Sequence, residues 1–307
     1  MRIAIVGTGG LGGYFGGLLA RAGHEVTFIA RGEHLQAIRT RGLKVYSVHG
    51  DFEIRPARAT DNPADVGPVD LTICAVKAYD TDSAAQLMRP LIGPSTAILP
   101  LQNGVESVTR LSRYFHKEAI LGGAAWIVSS IAEPGVIRQE SQVRRIVLGE
   151  LDGRETPRAH AIRDALAEGG ATVEVTSEIE KVLWTKLLFI ASFSGITSVT
   201  RAPAGPVLAC DESRLLFIQA MREVEAVARA RGLPLDADVV EKNLVAFAEK
   251  FEPTATTSMQ RDVVAGRRLE YDALNGAVVR AGRASGVPTP IHEFIWTCLK
   301  VVDSMVK

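Results

Sequence analysis

Apolar runs alternate with helical periodicity through the first half of the chain. Arg2–Val6 is a short apolar strand pattern, and residues 11–22 repeat at helical spacing. Residues 25–30 read as the next strand and 35–41 as the next helix. Residues 71–76 (LTICAV) form a further apolar strand, followed by a helical segment over 82–91, and residues 97–100 and 120–129 continue the series. Strands that are apolar without alternation have both faces covered. Strands interleaved with helices pair in parallel, so the pattern predicts a parallel sheet between two helical layers.

The pattern changes after Val175. Helical periodicity dominates to the end, most clearly over 215–231, 237–251 and 270–285. Gly232-Leu233-Pro234 and Gly286-Val287-Pro288 supply helix stops. The expected fold is therefore α/β: an N-terminal Rossmann-type, doubly wound parallel sheet followed by an all-helical C-terminal domain. The boundary is expected near Thr176, giving domains 1–176 and 177–307.

A length of 307 residues exceeds the size at which one core usually stops growing, which agrees with two domains. The 35 basic residues balance 35 acidic ones, so no general attraction to nucleic acid or an anionic membrane is expected. No run reaches the ~20 consecutive apolar residues of a membrane span. The apolar N-terminus is broken by six glycines between Gly9 and Gly17 and reads as structure rather than as a signal peptide. Three scattered cysteines and six histidines without an HExxH pair predict neither a disulfide framework nor a metal site, and a cytoplasmic location fits.

Gly7, Gly9 and Gly12 form G-x-G-x-x-G directly after the first strand and at the start of a helix. The first glycine permits a tight turn, the second lets backbone approach a pyrophosphate, and the third brings helix and strand close. Phosphate then sits on amide N–H groups at the positive end of the helix dipole. The turn, with Gly10 and Leu11 inside it, is thus a candidate dinucleotide site. NAD-binding units usually carry an acid at the end of the second strand, to bind the ribose hydroxyls. Here that strand ends Ile29-Ala30-Arg31, and a guanidinium can hold a 2′-phosphate that a carboxylate would repel. NADPH is the expected cofactor; the bland reading of Arg31 is a solvated loop residue.

Residues 180–191 read as a helix in which the same-face neighbours of Lys186 are Val182, Leu183, Phe189 and Ile190. An apolar face leaves two readings open. Either the ammonium is directed into an interior or cleft, or the stem packs while the charge reaches water. Beside a nicotinamide, such an ammonium would stabilise the charge developing on a carbonyl oxygen and donate a proton to it, with its pKa lowered by desolvation and raised by any nearby carboxylate. Ser258 and Asp262 lie one helical turn apart, and Glu270 precedes another helix, where the dipole alone could favour it.

Taken together, GTGGLGGYFG at the start, AVKAY around Lys77, LQNGVE around Asn103, LWTKL around Lys186, TSMQRD around Ser258 and EYDALNG from Glu270 resemble the ketopantoate reductase family, in family order over essentially the whole chain. The resemblance implies NADPH-dependent reduction of ketopantoate, a small-molecule 2-oxo acid, to pantoate in pantothenate biosynthesis. By position it implies Lys186 as general acid and Glu270 as the carboxylate engaging substrate and setting the lysine's charge. Ser258 would contact substrate, and Asn103 would sit where cofactor and substrate meet. Lys77 would lie near the cofactor and Arg31 at its 2′-phosphate. A homodimer is compatible with the sequence but not specified by it.

One departure stands out. Many members of that family carry asparagines four and eight residues after the lysine, facing substrate, and here those positions are Ile190 and Ser194. An alkyl group in place of a carboxamide removes hydrogen-bonding capacity from the substrate pocket. That motivates an alternative, a related reductase acting on a different branched or more apolar 2-oxo acid. A non-catalytic NADPH-binding sensor would not need a proton donor, and a 3-hydroxy-acid dehydrogenase would fit the TSMQRD and EYDALNG segments less well.

Overall fold

The computed structural model describes residues 1–250 and 252–306, so the last residue of the helix expected over 237–251 lies outside the described residues. The first strand, Arg2–Val6, occupies the centre of a five-stranded, all-parallel sheet. On one side lie Glu25–Ile29 and then Arg58–Thr60; on the other lie Leu71–Cys74 and then Ala97–Pro100. The chain thus runs outward one way and returns to build the other half, which places a topological switch point between Arg2–Val6 and Leu71–Cys74. In such sheets ligands bind outside the carboxyl ends of the strands at that point.

Alternation along the central strand shows how both faces are covered. Ile3 and Ile5 enter one core, with Tyr14, Phe15 and Leu18 of the helix Gly10–Arg21. Ala4 and Val6 enter a second, with Ala84, Ala85 and Met88 of the helix Thr81–Met88. Successive side chains of a strand point to opposite faces, so a strand buried on both must be apolar throughout.

The expectation that residues 120–129 extend the parallel series is corrected. Leu121–Trp126 pairs antiparallel with Arg145–Glu150 in a three-stranded sheet completed by Thr172–Val175; its link to the parallel sheet is a single parallel bridge, Ile98 to Ile120, just before the strand begins. Ser129 opens a separate strand, Ser129–Glu133, at the edge of a four-stranded mixed sheet with Val136–Gln139, Leu43–Ser47 and Phe52–Ile54. Leu121–Trp126 is the strand that the apolar pattern predicts; most of the other strands of these two sheets carry too little continuous apolar sequence to announce themselves.

By its internal contacts the chain divides into one unit of residues 1–102 and 107–179 and a second of residues 103–106 and 180–307. The second unit is helical: most of Ile179–Thr200, then Ala204–Ala209, Asp211–Ala230, Val239–Lys250, Ser258–Val264, Ala277–Ser285 and Pro290–Ser304. Phe189, Phe193, Phe217 and Phe247 meet in its core with ring centroids 4.6–6.0 Å apart. The helix Ile179–Thr200 is, among the described residues, the one long and apolar enough to cross a membrane by length and composition, but 61% of its most apolar window is buried inside the protein, as in a core helix. The helix expected over 270–285 is interrupted at its start. Residues Asp272–Gly276 form a π-helical turn before Ala277–Ser285 continues in regular form.

Candidate active site

In the first unit, the turn after Arg2–Val6 requires its glycines. Gly7 has φ +94°, and a Cβ there would stand 2.6 Å from the Val76 amide nitrogen, at the end of the neighbouring strand across the switch point. A Cβ on Gly12 would come within 2.1 Å of the Gly7 carbonyl oxygen, so helix and turn touch only because position 12 has no side chain. The Thr8 hydroxyl donates to the Ile29 carbonyl at 3.0 Å and ties the turn to the end of the second strand. Gly9, by contrast, faces open space, with nothing within 4 Å of a Cβ, and no side chain caps the helix that follows it. Amide N–H groups at an uncapped helix start beside open space fit a phosphate.

Two neighbours in that turn have other duties. Gly10 lies against the backbone of Ser129, whose carbonyl carbon would be 2.6 Å from a Cβ, and Leu11 packs on the sheet's core. Arg31 follows the second strand with 84% of its side chain exposed, loosely paired with Asp80 at 3.8 Å. Lys77 is partly buried just beyond Leu71–Cys74, at the same end of the sheet.

In the second unit, the helix Ile179–Thr200 buries Trp184, Leu187, Leu188 and Ala191. Lys186 and its neighbours Val182, Leu183, Phe189 and Ile190 are all partly exposed, so the lysine stands on the less covered face. Its ammonium donates to the Asn103 side-chain oxygen at 3.0 Å. Desolvation draws the Lys186 pKa from 10.5 down to about 8, and the Glu270 carboxylate acts in the opposite direction. Glu270 itself is 7% exposed. An ammonium held by an amide oxygen, beside a carboxylate and close to losing its proton at neutral pH, is suited to giving a proton to a substrate oxygen.

Residues not singled out in the sequence hold this group in place. Arg280 donates to both carboxylate oxygens of Glu106, at 2.9 and 2.8 Å, and to the side chain and carbonyl of Asp272, at 2.8 and 2.7 Å. It therefore fastens the loop Asn103–Glu106, which carries Asn103, to the turn that follows Glu270. Trp296 adds an indole N–H to Asp272 at 3.0 Å. An Arg with two acids far apart in sequence gives no local pattern from which this clamp could be read.

The remaining expected substrate residues differ in placement. Ser258 is partly buried at the start of Ser258–Val264, where the Thr257 hydroxyl accepts from the Gln260 N–H. Asp262 is paired with Arg267 at 2.8 Å. Ile190 is partly exposed one turn beyond Lys186. Ser194 is 1% exposed and its hydroxyl donates to the Ile190 carbonyl, so that donor is spent within its own helix. Among the described residues, no group of His, Cys, Asp and Glu could hold a metal ion.

Comparison with known proteins agrees over both units. The family described as "Ketopantoate reductase PanE/ApbA" matches residues 3–153, and "Ketopantoate reductase PanE/ApbA C terminal" matches residues 178–303. The chain is 31% identical over 304 residues to the uncharacterized oxidoreductase YkpB of Bacillus subtilis, with 99% of each chain covered. It is 30% identical over 294 residues to a 2-dehydropantoate 2-reductase of Halobacterium salinarum, with 95% of each covered. Its fold matches the crystal structure of 2-dehydropantoate 2-reductase from Geobacter metallireducens with a TM-score of 0.92 at 34% identity, covering 98% of this chain and 99% of that one. The chain belongs to the ketopantoate reductase PanE/ApbA family of oxidoreductases.

Proposed function

We propose that this protein reduces 2-dehydropantoate (ketopantoate) to pantoate with NADPH, as a cytoplasmic step of pantothenate biosynthesis. Residues 1–176 would hold the cofactor, and residues 177–307 the substrate and the proton donor. The observation that carries the reading is the arrangement of Lys186, Asn103 and Glu270 in the helical unit. Bound NADPH would supply the hydride to the substrate's carbonyl carbon.

The chain's own residues do the rest. The Lys186 ammonium stabilises the charge that develops on the carbonyl oxygen and gives it a proton, leaving a neutral amine that regains its proton from water. Glu270 keeps the lysine charged against desolvation and, with Ser258, holds the substrate. Asn103 orients the ammonium. The uncapped helix start at Gly9 receives the pyrophosphate, with Lys77 nearby. Arg31 is exposed enough to turn from Asp80 towards a 2′-phosphate. Ser194 is left out of the contact set because its hydroxyl is committed to the helix backbone.

Lys186→Ala tests this assignment. General acid catalysis contributes about 10²–10⁴-fold, so turnover should fall by that order while NADPH binding persists. A folded variant that binds NADPH and turns over at the parent rate would remove the lysine from the mechanism. Glu270→Ala should weaken substrate binding as well as turnover.

Ile190 favours a second reading, reduction of a more apolar or differently branched 2-oxo acid. It places a half-exposed alkyl group one turn from the lysine. Ile190→Asn should then change the ranking of 2-oxo acids by kcat/KM; an unchanged ranking would take Ile190 out of the pocket.

A further inference from the structure

The turn that follows Glu270 is joined to the lysine helix by a buried polar contact that the chemistry above does not use. Asn275 and His292 are both fully buried. The Asn275 side-chain nitrogen lies 3.0 Å from the Ala191 carbonyl and 3.0 Å from His292 Nδ1. His292 Nε2 lies 3.0 Å from the Ala220 carbonyl. Carbonyl oxygens only accept, and this fixes every proton. The amide nitrogen faces Ala191, Nε2 of His292 carries the ring proton, and Nδ1 accepts the second amide hydrogen. Burial lowers the His292 pKa to about 4, so the ring stays neutral and keeps that acceptor. Glu223 accepts from the backbone N–H groups of Ile291 and His292 at 2.9 and 3.1 Å and fixes the start of the helix Pro290–Ser304.

The bridge joins the two elements that carry the proposed proton donor and its carboxylate. Ala191 is five residues beyond Lys186 on one helix. The Glu270 carbonyl accepts from the N–H groups of Ala273 and Leu274, so Glu270 and Asn275 ride on one turn. Gly195 completes the contact, because a Cβ there would stand 2.8 Å from the Asn275 side-chain nitrogen and 2.9 Å from Ile295. The Asn275 oxygen is buried without a hydrogen-bond partner, so the two N–H bonds are what hold the amide in this position.

We propose that Asn275 is a positioning residue: with His292 as its neutral acceptor, it locks the turn carrying Glu270 to the helix carrying Lys186 and so sets the separation of carboxylate and ammonium. Of the other charged groups nearby, Lys181 is paired with Asp236 at 3.1 Å, and Glu106 and Asp272 are held by Arg280, which leaves Glu270 as the carboxylate that acts on Lys186. The consequence for turnover rests on the function proposed above. The consequence for the lysine's titration does not, so the two can fail separately.

The test reads the titration of Lys186 directly, from the pH dependence of its acetylation by acetic anhydride followed by mass spectrometry. Asn275→Ser removes the bridge, and Gly195→Ala pushes on the same contact from the lysine helix. In both, the midpoint should move down by roughly half a pKa unit or more, because the lengthened interaction is the one that raises it. In both, kcat should fall more than NADPH affinity. A midpoint that is unchanged or raised in either folded variant, with activity following only the loss of thermal stability, would overturn the proposal. The intact protein supplies an independent check: 15N shifts of labelled histidine should show His292 as the Nε2–H tautomer at neutral pH, and the Nδ1–H tautomer would overturn the proposal without any variant.

Discussion

With its pKa near 8, Lys186 is mostly protonated at neutral pH and gives up its proton just above it. Below that point the donor is present, and above it the amine has nothing to give. Turnover should therefore fall with an alkaline midpoint near 8 rather than near the 10.5 of an ordinary lysine. Glu270→Gln should move that midpoint lower, since the carboxylate charge is what opposes desolvation. A rate that stays level to pH 10 would mean that another group supplies the proton. Arg31 sets a second expectation. Arg31→Ala should raise the KM for NADPH by about ten- to a hundredfold, the range for a lost hydrogen bond to a charged group, and leave NADH nearly unaffected. Equal effects on both cofactors would show that Arg31 does not read the 2′-phosphate.

Among the elements, the strand–turn–helix at the N-terminus is the most tightly specified. A Cβ on Gly12 would stand 2.1 Å from the Gly7 carbonyl oxygen, and backbone cannot yield as a flexible side chain can. Gly12→Ala should cost about 1–3 kcal/mol of stability, as overpacking does, and abolish tight NADPH binding by moving the helix start. A thermal melt and a binding titration check both, and a variant unchanged in each would show that the close approach is not needed. This element was legible in sequence because its reasons are local: a strand, a turn and a helix in consecutive residues. The apolar neighbours of Lys186 were legible for the same reason, through helical spacing. Its hydrogen bond to Asn103 joins positions 83 residues apart, and only the family resemblance brought the two together in advance. The clamp of Arg280 on Glu106 and the bridge of Asn275 to His292 left no trace, because a surface arginine and a histidine on an apolar helix look ordinary one residue at a time. The strand at Leu121–Trp126 was legible as a strand, but its antiparallel pairing with Arg145–Glu150 was not, because pairing joins residues far apart in sequence. Its small residues follow from close packing, with Gly122 against Ile179 and Gly123 against the Pro100 carbonyl.

At the scale of the whole molecule, two units with separate cores carry different features: a turn suited to a dinucleotide in the first, and a partly desolvated lysine with its amide and carboxylate partners in the second. Balanced charge gives the protein no general pull on anions, so under the proposed function selection of a 2-oxo acid would rest on local contacts. Family membership gives an oxidoreductase, and the proposed role of Ile190 bears on which 2-oxo acid would be preferred. The most direct measurement is the loss of NADPH absorbance with the purified protein across a panel of 2-oxo acids that includes ketopantoate and more apolar branched analogues, repeated with NADH. Ketopantoate with NADPH should give the highest kcat/KM of the panel. No NADPH consumption with any 2-oxo acid would contradict the account, and a higher kcat/KM for a more apolar acid would replace ketopantoate with the substrate that Ile190 favours.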